Sequence, residues 1–304
     1  MISFRYHIVS LVGVFLALAL GIVIGTTALS GPVTSDLRHQ VDDLKKDRSQ
    51  LAIQNKDLQG QVDVASQFTA NFGAQIVAGS LDKTNVLIVA LPGASSGMVD
   101  GIGNGLSQAG ATITGRLELA GSYVDPSLAT SIQDLAVGPS HPVGLVLPQT
   151  DDPRVLGAAL LAYALVGKGE QTDLNTVLSG FSGLHMIDSD PSGIDPAKDV
   201  VILGNGSLAK NSYASEAESD IVAQFAAAGA TVVVGGDSGS AQGAGVVASV
   251  RSGDLKTTVS TVDNADSPFG QVTTALAMAG AIDQQVGQYG TGPGAEALFP
   301  TRAK

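Results

Sequence analysis

An uncharged apolar segment opens the chain. Residues 8–29 form a run of 22 residues without a charge, and Ser30-Gly31-Pro32, which disfavour a helix, follow it. At about 1.5 Å per residue a helix over this run is about 33 Å long, enough to cross a hydrocarbon core of roughly 30 Å. The pattern predicts a transmembrane anchor over residues 1–32. A cleaved signal peptide, with small residues at Ala28-Leu29-Ser30, is the alternative.

The ends of this segment and its small residues indicate topology and packing. Arg5 and the terminal amine favour a cytoplasmic N-terminus, a single pass through the cell membrane and export of the remainder. Small residues recur at every fourth position, namely Gly13, Ala17, Gly21 and Gly25. They predict a smooth ridge on which a second membrane helix packs, although small residues are also common in membrane helices generally.

A polar helical segment over residues 33–66 repeats its apolar residues with a period of seven. One heptad position holds Leu37, Leu44, Leu51, Leu58 and Ala65, and the other holds Val41, Arg48, Asn55 and Val62. Four such heptads predict a coiled-coil stalk. Leucine at d with a single asparagine at a favours a parallel homodimer, and the arginine at a weakens it. A single amphipathic helix packed on its own domain is the alternative.

After a linker at residues 67–83, strand-like and helix-like runs alternate through residues 84–304. Strands are predicted near 84–92, 112–119, 199–204, 229–236 and 258–262, and helices near 95–109, 154–166, 213–228 and 270–286. Continuous apolar runs between turn formers are typical of strands buried on both faces of a parallel sheet. The sequence thus predicts an α/β domain with a mainly parallel, Rossmann- or flavodoxin-like sheet. A β-barrel is not expected, because the strands do not alternate apolar and polar residues and 13 aromatic residues cannot supply two interfacial girdles.

Composition then excludes several classes of function. The chain has no Cys and four Met, so it forms no disulfide, zinc-thiolate or iron–sulfur site. Its 16 basic and 28 acidic residues give a net charge of −12, which argues against a nucleic-acid partner. The imbalance belongs to the α/β domain, since residues 1–80 carry six basic and six acidic side chains.

Candidate chemistry in the α/β domain is sparse. Gly236-Asp237-Ser238-Gly239 matches the sequence around a serine-protease nucleophile, but no histidine motif accompanies it, and a βα turn explains it. No enzymatic activity is therefore expected, with an anchored hydrolase as the alternative. Acidic residues cluster at 188, 190, 195 and 199 and again at 216, 218 and 220, and they suit either a hard cation or, as the favoured interpretation, a solvated surface. For a soft metal the weak candidates are His185 and Met186, for which a strand with Met186 in the core is the competing interpretation. No cofactor is expected.

Four features together resemble a known family. They are the opening MISFRYHIVSLVGVFLALALGIVIG, the heptad stalk, the run Thr261-Val262-Asp263, and the ending Tyr289-Gly290-Thr291-Gly292-Pro293-Gly294-Ala295. In these four features the chain is similar to the actinobacterial copper transport outer membrane proteins, the MctB family. The resemblance implies an actinobacterial envelope protein, associated with the outer envelope, that takes part in copper homeostasis or efflux with copper as a transported ion. No ligand residues are carried over from the family.

The sequence therefore leaves open two functions of different classes. The first is the implied copper role, with any pore supplied by an oligomer or a partner because the sequence shows neither a barrel nor a cluster of copper ligands. The second is a membrane-anchored dimeric scaffold whose exported domain binds a partner in cell-wall assembly or division. An anchor, a stalk and a globular head suit that second role as well.

Overall fold

The computed structural model describes residues 4–138 and 141–301, with the backbone alone for residues 27–36. The chain divides into two compact units, residues 1–64 and 65–304. Most of the first unit belongs to a single helix, and the second unit is an α/β domain that includes the last turns of that helix.

Helix α1, Phe4–Val77, is continuous over 74 residues. It does not end at Ser30-Gly31-Pro32, where the sequence predicted a break, because a proline removes one backbone hydrogen bond while helix-forming sequence on both sides maintains the helix. The segment 67–83, predicted as a linker, is likewise helical as far as Val77. The possible cleavage site at Ala28-Leu29-Ser30 lies outside the residues whose side chains are described.

The apolar start of α1 satisfies the length requirement of a membrane span. Residues Phe4–Thr26 form 23 residues of helix with a mean hydropathy of 2.8, and none of this stretch is buried within the chain. A helix of 23 residues is about 35 Å long, which exceeds a hydrocarbon core of roughly 30 Å.

Seven helices and six strands follow α1 in the described part of the chain. The helices are α2 Ser96–Gln108, α3 Ala129–Val137, α4 Pro153–Leu165, α5 Gln171–Gly183, α6 Tyr213–Ala227, α7 Val246–Ser252 and α8 Pro268–Ile282. The strands are β1 Asn85–Ala90, β2 Thr112–Glu118, β3 Asp199–Gly204, β4 Thr231–Gly236, β5 Ser260–Val262 and β6 Gln288–Tyr289.

The six strands form one open, fully parallel sheet in the order β2-β1-β3-β4-β5-β6. The first five follow the flavodoxin-like order, with the switch point between β1 and β3. Strands β3 and β4 pair without interruption from Asp199 opposite Thr231 to Gly204 opposite Gly236. The predicted α/β class with a parallel sheet is confirmed.

Both faces of the sheet are covered, which explains why its central strands are continuously apolar. In β1, Leu87 and Val89 face a core formed with α3 to α7, whereas Val86 and Ile88 face a second core formed with α2, α8 and the end of α1. Every apolar residue of such a strand is therefore buried, and alternation with polar residues is absent.

One connection differs from the others in hand. The connections β4–α7–β5 and β5–α8–β6 step in the same direction across the sheet, yet α7 packs on one face and α8 on the other. Connections between parallel strands are nearly always right-handed, and the β5–α8–β6 crossover has the hand opposite to the other four. Strand β6 is only two residues long, so other contacts must hold it in place.

Candidate functional site

Two of the four features behind the family resemblance, the run Thr261–Asp263 and the ending Tyr289–Ala295, lie side by side at one edge of the sheet. Thr261 and Val262 of β5 pair with Gln288 and Tyr289 of β6. Because parallel strands end at the same edge, Asp263, which follows β5, is adjacent to the Gly290–Ala295 loop that follows β6.

Asp263 is the centre of this junction and is completely buried. Its Oδ1 accepts hydrogen bonds from the backbone N–H of Thr291 at 2.8 Å and from Asn264 Nδ2 at 2.6 Å. Its Oδ2 accepts from the backbone N–H of Gly292 at 2.9 Å and from Arg251 Nη1 at 2.8 Å. Four N–H donors therefore saturate the carboxylate and compensate its desolvation.

The partner cation, Arg251, comes from the last turn of α7 and is also buried. Its guanidinium donates to Thr261 Oγ1 at 2.8 Å, to the carbonyl of Tyr289 at 2.7 Å and to the carbonyl of Pro293 at 3.0 Å. A planar fork of five donors suits such a set of acceptors, which a lysine could not match. Arg251 thus joins α7, β5, β6 and the C-terminal loop.

Close packing against the carboxylate explains the glycines of the motif. Gly290 has a φ of +127°, and a Cβ there would overlap the Asp263 carboxylate. A Cβ on Gly292 would lie 2.9 Å from Asp263 Oδ2. Tyr289, Gly290, Thr291 and Gly292 therefore form a structural clamp around a buried ion pair, which we call the Arg251–Asp263 clamp. Its carboxylate has no lone pair left for a metal ion.

Sequence reasoning missed Arg251 entirely. It lies in the apolar stretch Val246–Ser252, where a charged residue at a buried position is itself a signal of pairing. Its main partner is 12 residues away and another is 38 residues away, so the pattern of the sequence could not identify them.

The Gly236–Gly239 segment is a turn held by its own aspartate, as the competing interpretation proposed. Asp237 Oδ1 accepts from the N–H groups of Gly206 at 2.8 Å and Ser240 at 2.9 Å. Asp237 therefore ties the loop after β4 to the loop after β3. Within the described ranges, Ser238 has no hydrogen bond to a histidine.

The two weak candidates for a soft-metal site, His185 and Met186, differ in their surroundings, because His185 is exposed and Met186 is buried. Met186 is fully buried in the core, and His185 occupies the turn after α5 with a φ of +55°. Ile187 forms an isolated antiparallel bridge with Leu119, the residue after β2, and Met186 is a core residue that belongs to none of the described strands. Across residues 4–138 and 141–301, no group of three or more His, Cys, Asp or Glu side chains could hold a metal ion.

The favoured interpretation of the acidic residues, a solvated surface, fits Asp188, Asp190, Asp195 and Glu216, which are exposed. It is wrong for Glu218, which is buried, and for Asp199 and Asp220, which are half-buried. Arg154 forms ion pairs with three carboxylates. Its Nη1 pairs with Glu216, its Nη2 lies 2.6 Å from Asp152 Oδ2, and its Nε lies 3.7 Å from Asp220 Oδ2. The neighbouring guanidinium lowers the pKa of Asp152, whereas burial raises the pKa of Asp220. Glu218 is buried on the core side of α6, and burial raises its pKa to about 8.

A polar cavity of about 350 Å³ adjoins this cluster. Its wall includes Arg154, Lys210, Ser215, Ser219 and Asp220. Most of its charge is neutralised internally, since Arg154 is surrounded by carboxylates. Nearby, the hydroxyl groups of Tyr123 and Tyr213 are buried without a hydrogen-bond partner among the described residues.

The predicted association residues lie on the surface of α1, where Gly25 is half-exposed and the others are exposed. Apolar heptad residues remain accessible over the stalk, namely Leu37, Val41, Leu44, Leu51, Leu58 and Val62. A Cβ added at Gly13, Gly21 or Gly25 would meet no atom of the described residues within 4 Å, so the ridge that they share with Ala17 is open. The coiled-coil pairing of the stalk and the packing of a second membrane helix on the ridge both stay predictions.

Comparison with known proteins gives a consistent result over nearly the whole chain. The model of the family described as "Copper transport outer membrane protein, MctB" matches residues 1–300. The Copper transporter MctB of Mycobacterium tuberculosis (strain ATCC 25618 / H37Rv) is 32% identical over 310 residues, which cover 97% of this chain and 98% of that protein. The Copper transporter MctB of Mycobacterium leprae is 31% identical over 318 residues, covering 98% and 99%.

Proposed function

The chain belongs to the MctB family of copper transport outer membrane proteins, and from this premise we propose that it acts in copper homeostasis at the cell envelope, contributing to copper efflux. The observation that carries this proposal is the match over residues 1–300, together with relatives named copper transporters that align over nearly their whole length. The apolar helix Phe4–Thr26 supports membrane association.

We further propose a single-pass topology with a cytoplasmic N-terminus, an exported α/β domain and contact with the outer envelope. Arg5 at the short N-terminal end supports this orientation. The partner in this proposal is a second copy of the chain, which covers the exposed heptad residues of the stalk and the small-residue ridge of the membrane helix.

Copper in this proposal is a transported ion and not a resident cofactor. The chain has no cysteine, and Met98, Met186 and Met278 are buried in the two apolar cores. Soft ligands of the kind that hold Cu(I) are thus withheld from solvent at these three positions. We infer that the path for copper is formed by an oligomer or by a partner protein.

Copper content of cells tests the proposal directly. A strain without the gene, the same strain carrying the wild-type gene and the parent would be grown under copper stress, and total cell copper would be measured with zinc as the control metal. We expect the deletion strain to retain more copper than both others, with equal zinc. Equal copper in all three strains would refute the copper role.

A second candidate, a dimeric scaffold for cell-wall assembly or division without transport, is favoured by the exposed stalk residues and by the lack of a metal-holding group in the described ranges. Capture of cell-wall or division proteins by cross-linking in the envelope, together with unchanged copper, would select it. In neither case do we propose an enzyme, and Ser238→Ala should leave the phenotype of the complemented strain unchanged.

A further inference from the structure

We propose that the dimer seam continues past the stalk into the last turns of α1, so that two copies of the chain also meet within their globular units. The inference rests on the dimer of the proposed function. The heptad of the stalk, extended along the sequence, places Ala65, Thr69, Phe72 and Ile76 at successive d, a, d and a positions. All four belong to the second unit, residues 65–304.

The last turns of α1 are fixed to the globular unit along one face. Gly73 and Val77 are buried there, and a Cβ on Gly73 would lie 2.6 Å from Val272 Cγ2 of α8. The glycine thus allows α1 to approach α8 closely. Any partner that binds this part of α1 is bound to the globular unit as well.

A different flank of the same turns exposes large apolar side chains. Phe68, Phe72 and Ile76 are 59%, 45% and 46% exposed, and the rings of the two phenylalanines lie 4.9 Å apart. At about 100° per residue, Ile76 lies about a quarter turn from the buried Val77 around the helix axis. Contact with α8 and contact with a second helix can therefore occur together.

A second copy is the occupant that this flank fits best. The membrane anchor inserts every copy in the same direction, so the helices of two copies run parallel and equivalent residues meet at the same height. Charge does not oppose a parallel dimer at the g–e′ pairs of the stalk, none of which brings like charges together, although Arg48 at an a position meets its own counterpart. These pairs are Gln40–Lys45, Asp47–Ala52, Gln54–Gln59 and Gln61–Ser66.

The absence of cysteine from the sequence makes the seam directly testable. Single-cysteine variants of the full chain, Leu58→Cys, Phe72→Cys and Ile76→Cys, would be oxidised in membranes from cells that express two differently tagged copies. Asn71→Cys is the matched control, because Asn71 is exposed on the same turn but lies about 100° from Phe72. We expect disulfide-linked pairs of the two tags at 58, 72 and 76, with at least about fivefold more at 72 and 76 than at 71.

The outcomes separate this inference from the dimer on which it rests. Cross-links at 58, with 72 and 76 no higher than 71, would leave the stalk dimer standing and overturn the extended seam. No cross-link at any position would refute both the dimer and the seam. Cross-links at 72 and 76 without 58, or to a different protein, would also overturn a seam continuous with the stalk.

Discussion

The Arg251–Asp263 clamp makes a quantitative prediction for the variant Arg251→Leu. The substitution removes four hydrogen bonds and leaves the buried Asp263 carboxylate without its cation. Removing one partner of a buried pair costs about 3–5 kcal/mol in general. For a unit of this size that corresponds to a fall of roughly 6–20 °C in melting temperature.

Calorimetry of the full chain in detergent micelles would measure the melting temperature of the globular unit. The matched control is Arg116→Leu, whose pair with Asp100 is only 2.5 Å long but exposed, with 38% and 64% of the two side chains accessible. Exposed pairs contribute about 0–1 kcal/mol, so this variant should melt within a few degrees of the wild type. Equal melting of the two variants would refute the assignment of Arg251 as the clamp of the C-terminal loop.

A double variant tests why the pair is retained. Replacing both members of a buried pair by apolar residues is often neutral elsewhere. Here Asp263 also accepts the backbone N–H groups of Thr291 and Gly292, which would lose their acceptor. Arg251→Met with Asp263→Leu should therefore stay destabilised, and hydrogen exchange at these two amides should accelerate. Recovery of the wild-type melting temperature would contradict this account.

Three further predictions concern other parts of the chain. Gly290→Ala should lower the unfolding free energy by at least about 2 kcal/mol, measured by urea titration, because the methyl group overlaps the buried carboxylate at a positive φ. Burial raises the pKa of Glu218 from 4.5 to about 8, so the folded state binds this proton more tightly and stability should fall as pH rises from about 4.5 to about 8. Glu218→Gln should flatten that fall, and an unchanged pH profile would contradict it. Leu44→Asp with Leu51→Asp should abolish cross-linked dimers, whereas Ile53→Asp, an exposed apolar residue off the seam, should preserve them.

The central strands were predictable because a strand that is buried on both faces of the sheet consists of consecutive apolar residues. The runs around Val86–Val89, Val200–Leu203 and Val232–Val234 are apolar without interruption, and each forms a strand. Helices α3 and α7 were missed because they are short, and α5 was missed because polar residues occupy much of its length. Strand β6 has two residues, too few for any periodicity.

The candidate site was predictable only as a pair of unexplained motifs. Thr261-Val262-Asp263 and the loop after Tyr289 could be recognised as distinctive, but their contact depends on the strand order β5-β6. That order arises from a crossover of unusual hand, which no local pattern encodes. The same holds for Glu218, whose burial is set by the packing of α6 against the sheet and not by its neighbours in sequence.

The position of the clamp near the end of the chain has a consequence for when this protein can fold. Arg251 and Asp263 form four hydrogen bonds with the backbone of residues 289–293, so the buried pair lacks these four partners in any chain that stops before residue 289. The globular unit cannot complete folding on the ribosome from its N-terminal part alone.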